Sequence, residues 1–152
     1  MVLVMNMQKY EDLIMVSQTL YQKDPINNLS EAAKIISRYL CEVNWVGFYL
    51  FKNNQLEIGP YVGIKPIKIL SLSEGICGKS ATNKEIITIN NVYEFPDYLP
   101  IDNETRSKIA LPIFKNSLLF GVLTLDSPIY ARFEEVDIKY LDLFVKSLEK
   151  YI

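Results

Sequence analysis

The sequence predicts an α+β domain in which helices from both ends of the chain cover one face of a mostly antiparallel sheet. Three observations carry this. Apolar residues recur at helical spacing only near the two ends of the 152 residues. Between them lie short runs rich in aromatic and β-branched residues. Two pairs of these runs are joined by turns containing Asn53-Asn54 and Lys115-Asn116-Ser117, where asparagine tolerates positive φ. No linker, repeat or shift of composition divides the chain, so one domain over residues 1–152 is expected.

The elements follow in order. Tyr10, Leu13, Ile14, Val16, Leu20 and Tyr21 predict a first helix that stops at Asp24-Pro25. Ser30 offers an N-cap to a second helix over Glu31–Cys41, with Ala32, Ile35, Ile36, Tyr39 and Leu40 on its apolar face. Trp45–Phe51 is a strand, paired through Asn53-Asn54 with a shorter run ending at Ile58. Ile67–Leu72 and Glu85–Ile89 are further strands, and Gly75–Ala81 between them is a loop entering a short helix. The stretch from Asn90 to Arg106, broken by Phe95-Pro96-Asp97 and Pro100, is expected to be irregular. Lys108–Phe114 and Leu118–Leu125 form the second hairpin. A closing helix after Phe133 buries Val136, Tyr140, Leu141, Phe144, Val145 and Leu148.

Composition narrows the chemistry. At 49% hydrophobic and 22% charged the chain can bury a sizeable core. A net charge of −2 without a basic run gives no expectation of a nucleic-acid partner. The absence of histidine removes Ser-His-Asp and Cys-His catalysis and every imidazole metal ligand. The two cysteines, Cys41 and Cys77, make neither a four-thiolate site nor a disulfide framework. What is left is thiol, carboxylate, lysine and tyrosine chemistry. The apolar start, Met1–Met5, is short and lacks the basic residues of a secretory signal. No run approaches the ~20 residues needed to span a bilayer, so a reducing cytoplasm is the expected location and no membrane partner is expected.

At Asn44-Trp45-Val46-Gly47-Phe48-Tyr49-Leu50 the sequence resembles GAF domains, specifically the single-domain free methionine-(R)-sulfoxide reductases. The likeness continues through Gly59-Pro60-Tyr61, Gly75-Ile76-Cys77-Gly78, Phe95-Pro96, Asp102, Arg106-Ser107 and Pro112. It resumes at Phe120-Gly121-Val122-Leu123, Asp126-Ser127-Pro128, Ala131-Arg132-Phe133 and Asp137, and so covers about residues 8–150. The resemblance implies a GAF-like fold, with a six-stranded antiparallel sheet, terminal helices on one face and a ligand pocket on the other.

It also implies a reaction. A cysteine thiolate attacks the sulfoxide, methionine leaves, and the resulting sulfenic acid condenses with a second thiol to a disulfide that thioredoxin or a dithiol reduces. Family members generally place cysteines at three positions that correspond here to Ile67, Cys77 and Ile101, so only Cys77 is retained. The carboxylates of the family pocket also change. Lys108 stands where a Glu is usual and Thr124 where an Asp is usual, while Asp126 is kept. Trp45 and Tyr49 preserve the aromatic wall.

Two readings follow. The first is a degenerate family member that binds a small molecule in a pocket formed by Trp45, Tyr49, Ile101, Asp102, Lys108, Thr124 and Asp126. Its ligand would be free methionine sulfoxide or an anionic compound favoured by Lys108. The second is an active reductase in which Cys77 is the nucleophile and an external thiol resolves it. No cofactor is expected in either, beyond thioredoxin or another thiol as reductant in the second.

The residues themselves leave alternatives open. Cys77 is either a thiolate favoured by the start of a short helix or a semi-buried structural side chain. Trp45 and Tyr49 are either core or pocket wall, and Asp126 is either a pocket ligand or a turn former before Ser127-Pro128. Lys108 is either solvated or in the pocket. Asp102 and Arg106 either pair or stay exposed. Cys41 reads as structural, with a Cys41–Cys77 disulfide a further option. Apolar terminal helices are compatible with a homodimer.

Overall fold

The computed structural model describes residues 2–96 and 98–152, with side chains of the first helix described from Asn6 onward. Four helices, α1 (Val2–Leu20), α2 (Pro25–Tyr39), α3 (Gly75–Asn83) and α4 (Glu135–Leu148), accompany six strands. These are β1 (Trp45–Lys52), β2 (Gln55–Val62), β3 (Ile69–Leu70), β4 (Ile87–Ile89), β5 (Ser107–Lys115) and β6 (Leu118–Ser127). They form one antiparallel sheet in the order β3-β2-β1-β6-β5-β4.

The central strands are buried on both faces, and side-chain alternation divides them cleanly. Val46, Phe48 and Leu50 of β1, with Ile109, Leu111, Leu123 and Leu125, pack under α1, α2 and α4. Trp45, Tyr49, Ala110 and Val122 point the other way, toward α3 and Cys77. The helices therefore claim one face and leave the second for a smaller apolar cluster. On the helical side Tyr10 donates to Asp137 Oδ1 at 2.6 Å and Gln18 to Ser147 at 2.9 Å, so α1 and α4 run in the same direction. Arg132 reaches the same Asp137 oxygen at 3.0 Å, tying the entry of α4 into the network.

Several boundaries differ from the sequence expectation for identifiable reasons. The second helix starts at Pro25 rather than Glu31, because Asp24 caps it by accepting from Ile26 N at 3.1 Å and proline suits the first turn. Ser30 lies inside it. The second strand runs past Ile58 to Val62 because Pro60 falls at a bulge, where Gly47 pairs with Tyr61 but Tyr49 with Ile58. The third strand shrinks to Ile69–Leu70, with the Ile67 carbonyl spent on the Tyr49 hydroxyl at 2.7 Å. The fourth covers only Ile87–Ile89. Both hairpin turns are as expected, with positive φ at Asn53, Asn54, Asn116 and Ser117. The irregular stretch contains one 3-10 turn, Val92–Glu94, capped by Asn91.

Candidate functional site

The second face of the sheet carries the chemistry. One row across the strands sets Trp45 opposite Asp126, Asp126 opposite Lys108 and Lys108 opposite Ile89. The next row toward the helix sets Gly47 opposite Thr124 and Thr124 opposite Ala110. Small residues in this second row make room. A Cβ on Gly47 would come within 2.5 Å of the Trp45 ring and 2.6 Å of Tyr61 Cβ. Without it, Trp45 stacks on Tyr61 with ring centroids 5.7 Å apart. Above the row, α3 is pressed close to the segment that follows β3, since a Cβ on Gly78 would meet Ser71 O at 2.6 Å.

Between these parts lies a cavity with about 30 Å³ of free space. Trp45, Tyr49, Ile67, Cys77, Ile101 and Lys108 are on its wall. The structure thus brings together four residues expected at a pocket, Trp45, Tyr49, Ile101 and Lys108, with the expected thiol. The ring nitrogen of Trp45 donates to Ile64 O at 2.9 Å and the Tyr49 hydroxyl to Ile67 O at 2.7 Å. Both aromatics present carbon to the cavity and have spent their polar atoms on its frame.

The remaining expected residues lie elsewhere. Thr124 is fully buried in the floor, donating to Ile109 O at 3.0 Å. Asp102 closes a turn, accepting from Glu104 N at 2.9 Å, Thr105 N at 2.7 Å and Thr105 Oγ1 at 3.0 Å. Arg106 goes to different partners, Asn103 O at 2.8 Å and the face of Tyr93, so it does not pair with Asp102.

Asp126 lies beneath the wall, 1% exposed, with Lys108 Nζ 3.0 Å from its Oδ1. The contact is at ion-pair distance but off the line of a hydrogen bond, leaving Oδ1 without a hydrogen-bond donor among the described residues. Burial pushes the Asp126 carboxyl up, against the pull of the Lys108 ammonium. Burial also works against the Lys108 charge, yet the Asp126 carboxylate more than offsets this and holds its pKa above the ordinary lysine value. Lys108 is therefore a retained cation, neither freely solvated nor neutralised by deprotonation.

Cys77 is in the first turn of α3 but only 3% exposed. Burial raises its thiol above the usual value, outweighing the opposing influence of Lys108 and Thr124. The expected lowering by the helix start does not prevail, because desolvation of a thiolate costs more than uncapped N–H groups return. Cys41 is exposed and lies across the sheet beside Tyr10, Arg132 and Asp137. The two thiols are on opposite faces, so the optional Cys41–Cys77 disulfide is not formed. Among the described residues no cluster of three or more Cys, Asp or Glu side chains could hold a metal ion.

The fold and the site together have known counterparts. Residues 24–152 match the family described as GAF domain. The chain belongs to the GAF domain family. A Bacillus subtilis relative, protein YtsP, is 37% identical over 131 residues, covering 85% of this chain and 80% of that one. The free methionine-R-sulfoxide reductase of Saccharomyces cerevisiae is 31% identical over 131 residues, covering 81% and 73%. The solved structure of the Staphylococcus aureus free methionine-R-sulfoxide reductase in complex with substrate superposes with a TM-score of 0.89 at 31% identity, covering 93% and 94%. This GAF domain is thus similar along nearly its whole length to free methionine-R-sulfoxide reductases. Sequence reasoning missed the Lys108–Asp126 pair and the contributions of Tyr61, Leu70 and Leu99.

Proposed function

We propose that this GAF domain is a small-molecule-binding member of the free methionine-R-sulfoxide reductase group that has lost the reductase reaction. The observation that carries the reading is a buried thiol with no second thiol on its side of the sheet. Ile67 and Ile101, at the positions where the family resemblance implies cysteines, instead give the cavity two aliphatic walls. A sulfenic acid on Cys77 would have no internal resolving partner. The ligand chemistry has changed as well. A substrate ammonium about 4 Å from Lys108 would be opposed by about 4 kcal/mol at an effective dielectric of about 20.

The reading extends to a cytoplasmic protein that pairs as a homodimer through its terminal helices. Met15 on α1 and Leu143 on α4 are exposed apolar residues compatible with such pairing. Among the described residues no helix is long and apolar enough to cross a membrane. Light scattering over a concentration series should give twice the mass of 17.5 kDa, and a strict monomer removes the dimer from the proposal.

The deciding experiment is turnover of free methionine-(R)-sulfoxide with dithiothreitol, beside the Cys77→Ser variant. No turnover in either, with the fold verified by circular dichroism, is expected. Turnover by the wild type that disappears in Cys77→Ser would overturn the proposal and establish a reductase that works with one cysteine and an external thiol.

A further inference from the structure

The polar inventory of the cavity is unusually short. The Trp45 and Tyr49 donors are spent on Ile64 O and Ile67 O. Asp126 is covered by Lys108 and does not reach the cavity wall. Among the described residues of that wall, the one charged group is the Lys108 ammonium, whose side chain keeps 14% exposure. Its nitrogen lies 3.0 Å from Asp126 Oδ1 but off the line of a hydrogen bond, so its N–H groups can serve a guest. Gly75, Ile76 and Cys77, the first turn of α3, form an adjacent wall, and Glu74 gives that turn no side-chain cap. Positive partial charge from its backbone N–H groups adds to the ammonium. Apart from the Tyr98 hydroxyl and the buried Cys77 thiol, everything else a guest would touch is hydrocarbon or aromatic face.

We propose that the cavity takes a short, mainly apolar monocarboxylate, held by its carboxylate on Lys108 with its carbon chain against Trp45 and Tyr49. This rests on the small-molecule-binding reading above and assigns the class of its ligand. A carboxylate suits the site because it is acceptor-only and monoanionic, matching one ammonium already anchored by Asp126. A zwitterion does not suit it. Its ammonium would face the like charge of Lys108, which also screens the one buried carboxylate. The chain must be short because the free space is about 30 Å³, room for about two waters. Room for four or five carbons comes from displacement of Leu99 and Ile101, which belong to no strand and so break no sheet hydrogen bonds when they move.

The test uses 3-methylbutanoate and its neutral isostere 3-methylbutanamide, titrated into the full chain by calorimetry and by emission of Trp45, the single tryptophan. The acid should bind at least about tenfold more tightly than the amide, the usual difference for one charge-assisted hydrogen bond. Lys108→Arg should keep that preference. The Lys108→Met/Asp126→Asn double variant, which leaves no unpaired buried charge, should bring the acid down to the level of the amide. Equal binding of acid and amide, or no binding of the acid, overturns the inference. The broader reading is judged separately by free methionine sulfoxide in the same titration. Binding of that compound or of the amide without turnover leaves the domain a small-molecule binder, whereas turnover removes that reading whatever the acid does.

Discussion

Lys108→Met would strip a buried carboxylate of its counter-ion while leaving an apolar stem of similar length. Breaking a buried pair from one side costs about 3–5 kcal/mol, and the partial exposure of Lys108 places this case near about 3 kcal/mol at pH 7. The deficit should depend on pH with a definite sign. Burial already raises the Asp126 carboxyl, and loss of the ammonium raises it further. A folded-state pKa above the unfolded one favours the folded variant as pH falls, so the deficit shrinks between pH 7 and pH 5. Urea unfolding at both values reads this directly, and an equal deficit at both would show that Asp126 is solvated. The thiols give a second residue-scale contrast. Cys41 is exposed, whereas Cys77 is buried with its thiol raised. With a disulfide reagent at pH 8, one thiol should react at the rate of a free cysteine and the other at least about tenfold slower. Comparable rates for both would mean that the cavity opens readily to solvent.

At the scale of elements, what tethers the helices is more testable than what forms them. Asp24 contributes one cap bond to α2, so Asp24→Ala should cost about 1 kcal/mol. Asn28 does more. Fully buried, it accepts from Gln22 N at 2.7 Å and donates to Gln22 O at 2.7 Å and Tyr151 O at 2.9 Å, binding the α1–α2 connection to the chain's last residues. Asn28→Ala leaves those groups unsatisfied and should cost about 2–3 kcal/mol, clearly more than the cap. Denaturant midpoints of the two variants check the order, and a reversal would mean that water replaces Asn28 cheaply.

The same scale explains what was legible in the sequence. Local signals sufficed for the helix periodicities and both asparagine turns, because those depend on neighbours a few residues away. The Lys108–Asp126 pair depends on register. Lys115 pairs with Leu118, and that register carried on without a break would put Lys108 opposite Leu125. A bulge between Ile113 and Phe114 moves the partner to Asp126, and Glu149 from beyond α4 accepts the Phe114 N–H at 3.0 Å. No local pattern announces a bulge stabilised from 35 residues away. The Asn28 contacts to the last residues were invisible for the same reason. Trp45 and Tyr49 could be placed on one face by alternation, but only the fold decides whether that face is core or cavity.

For the whole molecule, the sheet separates two buried layers, and ionisation at high pH reports on both at once. Tyr10 and Tyr21 belong to the helical layer, and Tyr49 and Lys108 to the cavity layer. Burial pushes the Tyr21 phenol up to about 12 from an ordinary value of 10.0. It raises Tyr10 and Tyr49 as well, while the Asp126 carboxylate raises Lys108 despite burial. In each case the folded chain holds its proton more tightly than the unfolded one. The resulting stability is fully present below pH 10 and is lost as pH rises through 10 to 12 and beyond. Phenolate absorbance should therefore resolve the ten tyrosines into two classes. Tyr10, Tyr21 and Tyr49 form the late class and ionise only as circular dichroism shows the fold being lost. If Tyr49 alone joined the early class, tracked through a Tyr49→Phe difference, the cavity would be open in solution while the helical layer stayed closed. If all ten ionised together near pH 10 with the fold intact, neither layer would be sealed as the structure has it.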